Sequence, residues 1–112
     1  MSDLTEKQCQ PCEGGVVPLP APAVASLMKQ LDGWIVVAGG GEIRRSFVFR
    51  NYHETMAFVN AIARIAHQEN HHPDLEVAYD RCMVRFTTHA ISGLSENDFI
   101  CAAKVDQIPR PS

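Results

Sequence analysis

Residues 51–89, NYHETMAFVNAIARIAHQENHHPDLEVAYDRCMVRFTTH, decide the fold, because within them the apolar period passes from helical to alternating. Asn51 with Glu54 has the character of a capping box, and Tyr52, Met56, Val59, Ile62, Ala63 and Ala66 follow at helical spacing. The helix is expected to reach about Asn70, because the residue before a proline is pushed away from helical backbone angles and Pro73 lies just beyond. Leu75, Val77 and Tyr79 then alternate with Glu76, Ala78 and Asp80 as a half-buried strand would, and Asp80-Arg81 suits a tight turn. In the next strand Cys82, Val84, Phe86 and Thr88 point one way, while Met83, Arg85, Thr87 and His89 point the other.

The flanks repeat this order without repeating the residues. Upstream, Pro22 suits a first helical position, and Val24, Leu27, Met28 and Leu31 share a face until Asp32-Gly33 stops the helix. Segments 34–38 and 42–50 are rich in β-branched and aromatic residues, and Gly39-Gly40-Gly41 between them can supply positive φ for a hairpin. Downstream, Ser95-x-x-Asp98 caps a last helix that packs through Phe99, Ile100, Ala102, Ala103 and Val105 and ends before Pro109. The order αββαββα predicts an α+β, two-layer domain: a four-stranded antiparallel sheet with three helices on one face, the other face left open for a ligand or a second subunit. Residues 1–20 form an N-terminal arm with a Cys9-x-x-Cys12 motif, 21–108 the domain, and 109–112 a short tail.

Composition narrows the function classes. The chain has 112 residues, 46% of them hydrophobic, enough for one core. Its net charge is −3 with the basic residues scattered, which disfavours direct binding to nucleic acid. No apolar run approaches a membrane span and the first residues lack the apolar core of a signal peptide, so a cytoplasmic protein away from membranes is expected. Cys82 and Cys101 fall on buried faces, where reduced cysteine behaves as a small hydrophobe; Cys9-x-x-Cys12 stands alone in a polar arm without a second pair at metal-site spacing.

Four of the five histidines, His67, His71, His72 and His89, crowd where two elements end. Histidine exchanges protons near neutral pH, so the cluster admits three readings. His67 and His71, four apart on one helix, could bind a metal with His89 as third ligand; no carboxylate is obviously placed to orient the rings, although Glu69, Asp74 or Asp98 could fold back. Alternatively, His71 and His89 could face each other across a pocket as a metal-free acid/base pair. The third reading is a set of hydrogen-bonded, inert polar residues.

Asn70-His71-His72-Pro73-Asp74, then Tyr79, Thr87-Thr88-His89 and Gly93-Leu94-Ser95-x-x-Asp98, resemble the signature of the pterin-4a-carbinolamine dehydratases, with similarity over roughly residues 22–108 that includes the Trp34 strand. The Cys9-x-x-Cys12 arm is similar to that of some bacterial members. The resemblance implies dehydration of a 4a-hydroxytetrahydropterin, the carbinolamine released by aromatic amino acid hydroxylases, to quinonoid dihydropterin and water. The N5 lone pair expels the 4a-hydroxyl, so one proton goes to that oxygen and one leaves N5, with no cofactor and no metal. It further implies His71, His72 and His89 as the catalytic set, with His71 and His89 the proton-handling pair and His72 chiefly orienting the pterin. Asn70, Pro73, Thr87, Thr88, Ala90 and Asp98 are the implied substrate-binding residues, Asp98 being equally readable as a helix cap. A homodimer or homotetramer is expected. One departure stands out: family members often carry glutamate where this chain has His67. A different class is also implied, since animal relatives stabilise the dimer of a homeodomain transcription factor.

Overall fold

The computed structural model describes residues 4–11 and 16–110; Cys12 of the Cys-x-x-Cys motif lies outside them. The elements are α1 (Ala21–Met28), β1 (Ile35–Val37), β2 (Glu42–Val48), α2 (Tyr52–Glu69), β3 (Asp74–Ala78), β4 (Arg81–Phe86) and α3 (Glu96–Asp106). The expected αββαββα order is therefore observed. The strands pair antiparallel in the order β1-β2-β4-β3, so the two hairpins join through their second strands, with Phe47 opposite Cys82 and Arg45 opposite Val84. Among the described residues no helix is long and apolar enough to cross a membrane.

One sheet face carries the core. Ile43, Phe47, Cys82, Val84 and Phe86 are buried against Phe58 and Ile62 of α2 and Phe99, Ile100 and Val105 of α3. Phe58 meets Phe47 and Phe49 at ring-centroid distances of 4.6 and 5.0 Å, within the range where aromatic pairs attract. Cys82 and Cys101 are buried free thiols, and burial pushes the Cys82 thiol up to about 11.

Several boundaries differ from expectation for local reasons. α1 stops at Met28, ahead of Asp32-Gly33, because Gln30 and Leu31 donate to the carbonyls three residues back and tighten the chain out of α-helix. Gly33, at φ +84°, makes the later bend. The buried stripe of α2 is Thr55, Phe58, Ile62 and Ala66, while Tyr52 and Ala63 face outward. Thr55 can sit inside because its hydroxyl lies 2.9 Å from both the Asn51 and Tyr79 carbonyl oxygens. At the start of α2, Asn51 accepts from the Glu54 amide, but Glu54 bonds the Arg50 amide and guanidinium rather than closing a box on Asn51; that guanidinium holds its carboxyl below the usual range. β3 ends at Ala78, so Tyr79 falls in the turn beyond it, and both Tyr79 and Val77 of this edge strand are exposed.

The arm also departs from a featureless tail. Leu4 is buried beneath a single 3₁₀ turn (Leu4–Glu6) that packs on α3, and Lys104 donates to the Thr5 carbonyl.

Candidate active site

Three of the four clustered histidines reach one pocket because two elements end beside the start of a third. α2 terminates at Asn70, which adopts left-handed backbone angles (φ 51°, ψ 42°). The His71 amide then bonds the Ala66 carbonyl at 3.2 Å and the Asn70 amide bonds that of His67 at 3.4 Å, the paired pattern that closes helices at such a residue. Asparagine tolerates this conformation better than most side chains, so Asn70 rather than the approach to Pro73 sets the end. His71 and His72 consequently lie beyond the helix, in the extended link to β3. The expected face shared by His67 and His71 does not exist: four residues apart is one face only while the helix continues. His67 is exposed on α2 and does not line the pocket. Among the described residues no group of three or more His, Cys, Asp or Glu side chains converges to hold a metal ion.

β4 likewise ends before its histidine. Thr88 and Gly93 pair across a tight loop, the intervening His89–Ile91 form a 3₁₀ turn, and Ser92 closes it at φ 54°. His89 therefore stands on that turn rather than on the polar face of the strand. Its side chain is 77% exposed, with Nε2 3.8 Å from the Asp74 carboxylate.

His71 is held far more tightly. Its Nε2 lies 2.6 Å from Oδ1 of Asp98, a carboxylate with no exposed surface, and its ring stacks on Phe86 with planes 8° apart. Asp98 Oδ2 accepts from the Ser95 amide at 3.0 Å and from the Thr88 hydroxyl at 2.7 Å. Thr88 Oγ1 in turn lies 2.7 Å from Ser95 Oγ, and Ser95 completes a capping box with Asp98. One carboxylate thus starts α3, ties down the end of β4 and holds His71; of the two roles weighed for Asp98, the helix cap is the one observed. With Asp98 as a carboxylate, which only accepts, the contact would require the His71 proton on Nε2 and leave Nδ1 with a lone pair.

The pocket has a volume of about 470 Å³, in the range of small-molecule sites. His71, His72, His89, Asn70, Thr87, Thr88 and Ala90 line it, as does Asn97 of α3. It opens at the ends of α2 and β4, not on the open sheet face. Pro73 and Asp98 do not line it: Pro73 fixes the link into β3, and Asp98 lies beneath His71. Thr87 and Thr88 commit their hydroxyl hydrogens inward, Thr87 to the Gly41 carbonyl at 2.5 Å. Glu69, named from the sequence as a carboxylate that could reach the histidines, also lines the pocket; sequence reasoning missed Asn97 and the arm residues Cys9, Gln10 and Pro11, which line it too. Leu4, an apolar residue in a polar arm, is a sequence signal that could have pointed to the arm being seated.

Residues 17–108 match the family described as Pterin 4 alpha carbinolamine dehydratase. A relative from Nitrosospira multiformis bearing the name "Putative pterin-4-alpha-carbinolamine dehydratase" is 57% identical over 108 residues, covering 96% of this chain and 94% of its own. One of the same name from Legionella pneumophila (strain Corby) is 54% identical, covering 96% of both chains. A crystal structure of a transcriptional coactivator/pterin dehydratase from Brucella melitensis superposes with a TM-score of 0.76 at 32% identity, covering 80% of this chain and 95% of that one.

Proposed function

The chain belongs to the pterin-4a-carbinolamine dehydratase family, an assignment that makes it a dehydratase, and from that premise we propose that it recycles the pterin of an aromatic amino acid hydroxylase by metal-free histidine catalysis. The substrate is a 4a-hydroxytetrahydropterin and the products are quinonoid dihydropterin and water. As the N5 lone pair forms the N5–C4a double bond, the C4a–O bond breaks; the leaving oxygen takes one proton and N5 loses one, so no net proton or electron is consumed.

The observation that supports this most is the buried Asp98–His71 contact at 2.6 Å, in a pocket lined also by His72 and His89. A carboxylate on Nε2 stabilises the imidazolium that forms when Nδ1 takes up a proton, which suits His71 as the base at N5. His89, open to solvent and near Asp74, suits the acid that protonates the departing hydroxyl and is recharged from water. His72 and Asn70 fit the role of orienting contacts at the rim, and Ala90 that of an apolar one. With the Thr87 and Thr88 hydroxyl hydrogens committed inward, hydrogen bonding to the pterin near them falls chiefly to the backbone.

The protein acts in the cytoplasm as a homodimer or homotetramer; exposed Ile35, Val48, Val77 and Tyr79 leave apolar surface for another subunit. Mixing the protein with freshly generated 4a-carbinolamine and following quinonoid product by absorbance tests the reading. Turnover proportional to protein is expected, and a rate equal to buffer alone would overturn it.

A further inference from the structure

The arm supplies pocket surface that the proton transfers do not require. Cys9, Gln10 and Pro11 line the same cavity as His71, His72 and His89, although they are about sixty residues or more distant in sequence. They are held there by a set of specific contacts. The Asn97 side chain grips the Gln10 peptide at both ends: Oδ1 accepts from the Gln10 amide at 3.0 Å and Nδ2 donates to the Gln10 carbonyl at 2.6 Å. Glu69, in the last turn of α2, accepts from the Cys9 amide at 2.8 Å, and its other oxygen lies 3.6 Å from the Lys104 ammonium. The Cys9 sulfur turns inward to within 3.5 Å of the Cys101 sulfur on α3, so the next residues ride over the cavity. The sulfur–sulfur contact with Cys101, then burial and the neighbouring Glu69 carboxylate, raise the Cys9 thiol well above its ordinary range, which keeps it a neutral packing group.

We propose that this arm is a wall of the pterin pocket and that Asn97 is a positioning residue which holds the wall closed on bound substrate. The inference rests on the dehydratase reading and deepens it. Asn97 is 6% exposed, and its neighbour Asp98 already orients His71, so the first turn of α3 sets both the proton-handling side chain and the wall facing the substrate. Residues 8–11 belong to no helix or strand, so the Gln10 backbone groups are available for such a two-ended grip by a primary amide. Substrate affinity then depends on the fraction of molecules with the arm seated, whereas the chemical step depends on the histidines.

The test is steady-state kinetics on 4a-hydroxytetrahydrobiopterin with Asn97→Leu, which removes both bonds to Gln10, and Asn97→Asp, which keeps the acceptor and sets a negative charge against the Gln10 carbonyl. Losing both partly buried hydrogen bonds in Asn97→Leu should unseat the arm and raise KM roughly tenfold with kcat within about twofold of wild type, and Asn97→Asp, which loses one, should raise KM less with kcat equally preserved. A KM unchanged within about twofold, or a loss confined to kcat, overturns the proposal. Independently of any variant's folding, hydrogen exchange on the wild-type protein reads the arm directly. Saturating 7,8-dihydrobiopterin should slow the Cys9 and Gln10 amides, and unchanged exchange there counts against the wall. Wild-type protein that turns over nothing removes the dehydratase reading and the arm's assignment with it; active wild type with indifferent Asn97 variants removes the arm's assignment alone.

Discussion

Asp98→Asn replaces one oxygen of a fully buried carboxylate with an NH₂ group that must fit the same three partners. Three donors converge on the carboxylate: His71 Nε2 on Oδ1, and the Ser95 amide and Thr88 hydroxyl on Oδ2. The asparagine oxygen must take the Oδ2 place, because an NH₂ group there would meet the Ser95 N–H head on. The NH₂ then faces His71, which can be satisfied only by presenting an Nε2 lone pair and moving its proton to Nδ1. That tautomer donates where the proposed chemistry needs a base. The expected loss in kcat is roughly 10²- to 10⁴-fold, the scale of losing a positioned proton transfer or its tautomer. Stability should fall by only about 1–3 kcal/mol, since two of the three hydrogen bonds persist and the third is inverted. Stopped-flow absorbance on freshly generated carbinolamine gives the rate, and a thermal melt confirms that the variant is folded. A folded Asp98→Asn protein with kcat within threefold of wild type would refute the reasoning.

Other substitutions probe separate links. His71→Ala and His89→Ala should each lower kcat by roughly 10²- to 10⁴-fold, whereas His53→Ala, exposed on the first turn of α2, should leave it unchanged in the same assay. Gly33→Ala forces an L-residue to φ +84° with its Cβ 2.8 Å from Arg45 Nε, costing at least about 1–2 kcal/mol and dislodging Arg45 from Asp106; calorimetry should show the loss as a lower thermal midpoint. Asp106 is raised by burial, against the opposing pull of Trp34 Nε1, Arg45 and Arg110. The folded state then holds a proton that the unfolded state has released, so the carboxyl's contribution to stability declines as pH rises from its ordinary value through its raised one. Thermal melts across the acidic range should therefore show wild type losing ground to Asp106→Asn as pH increases; the opposite trend would contradict the burial argument.

Legibility in the sequence followed the range of the interactions. Period and capping residues predicted all seven elements, because each is set by neighbours within a few positions. The Asn51 cap, the Ser95–Asp98 box and the glycine hairpin, with Gly39 and Gly40 at positive φ, are all present. The strand order was not readable, since nothing local says that β2 and β4 meet. The end of α2 was placed correctly for the wrong reason: Asn70 ends it, and that end strands His67 on the helix while freeing His71. The pairing of Asp98 with His71 spans 27 residues, so a residue that reads locally as a cap could only be weighed equally for the site. The arm's seat, with Gln10 against Asn97 across 87 residues, leaves no periodic trace at all.

The central claim is that a pterin lies in this pocket in contact with both proton-handling histidines. A crystal structure of the protein saturated with 7,8-dihydrobiopterin tests it most directly. The bicyclic ring is expected between the ends of α2 and β4, within hydrogen-bonding distance of His71 and His89 and touching His72. A pterin bound elsewhere on the molecule, or in this pocket without reaching either His71 or His89, would contradict it.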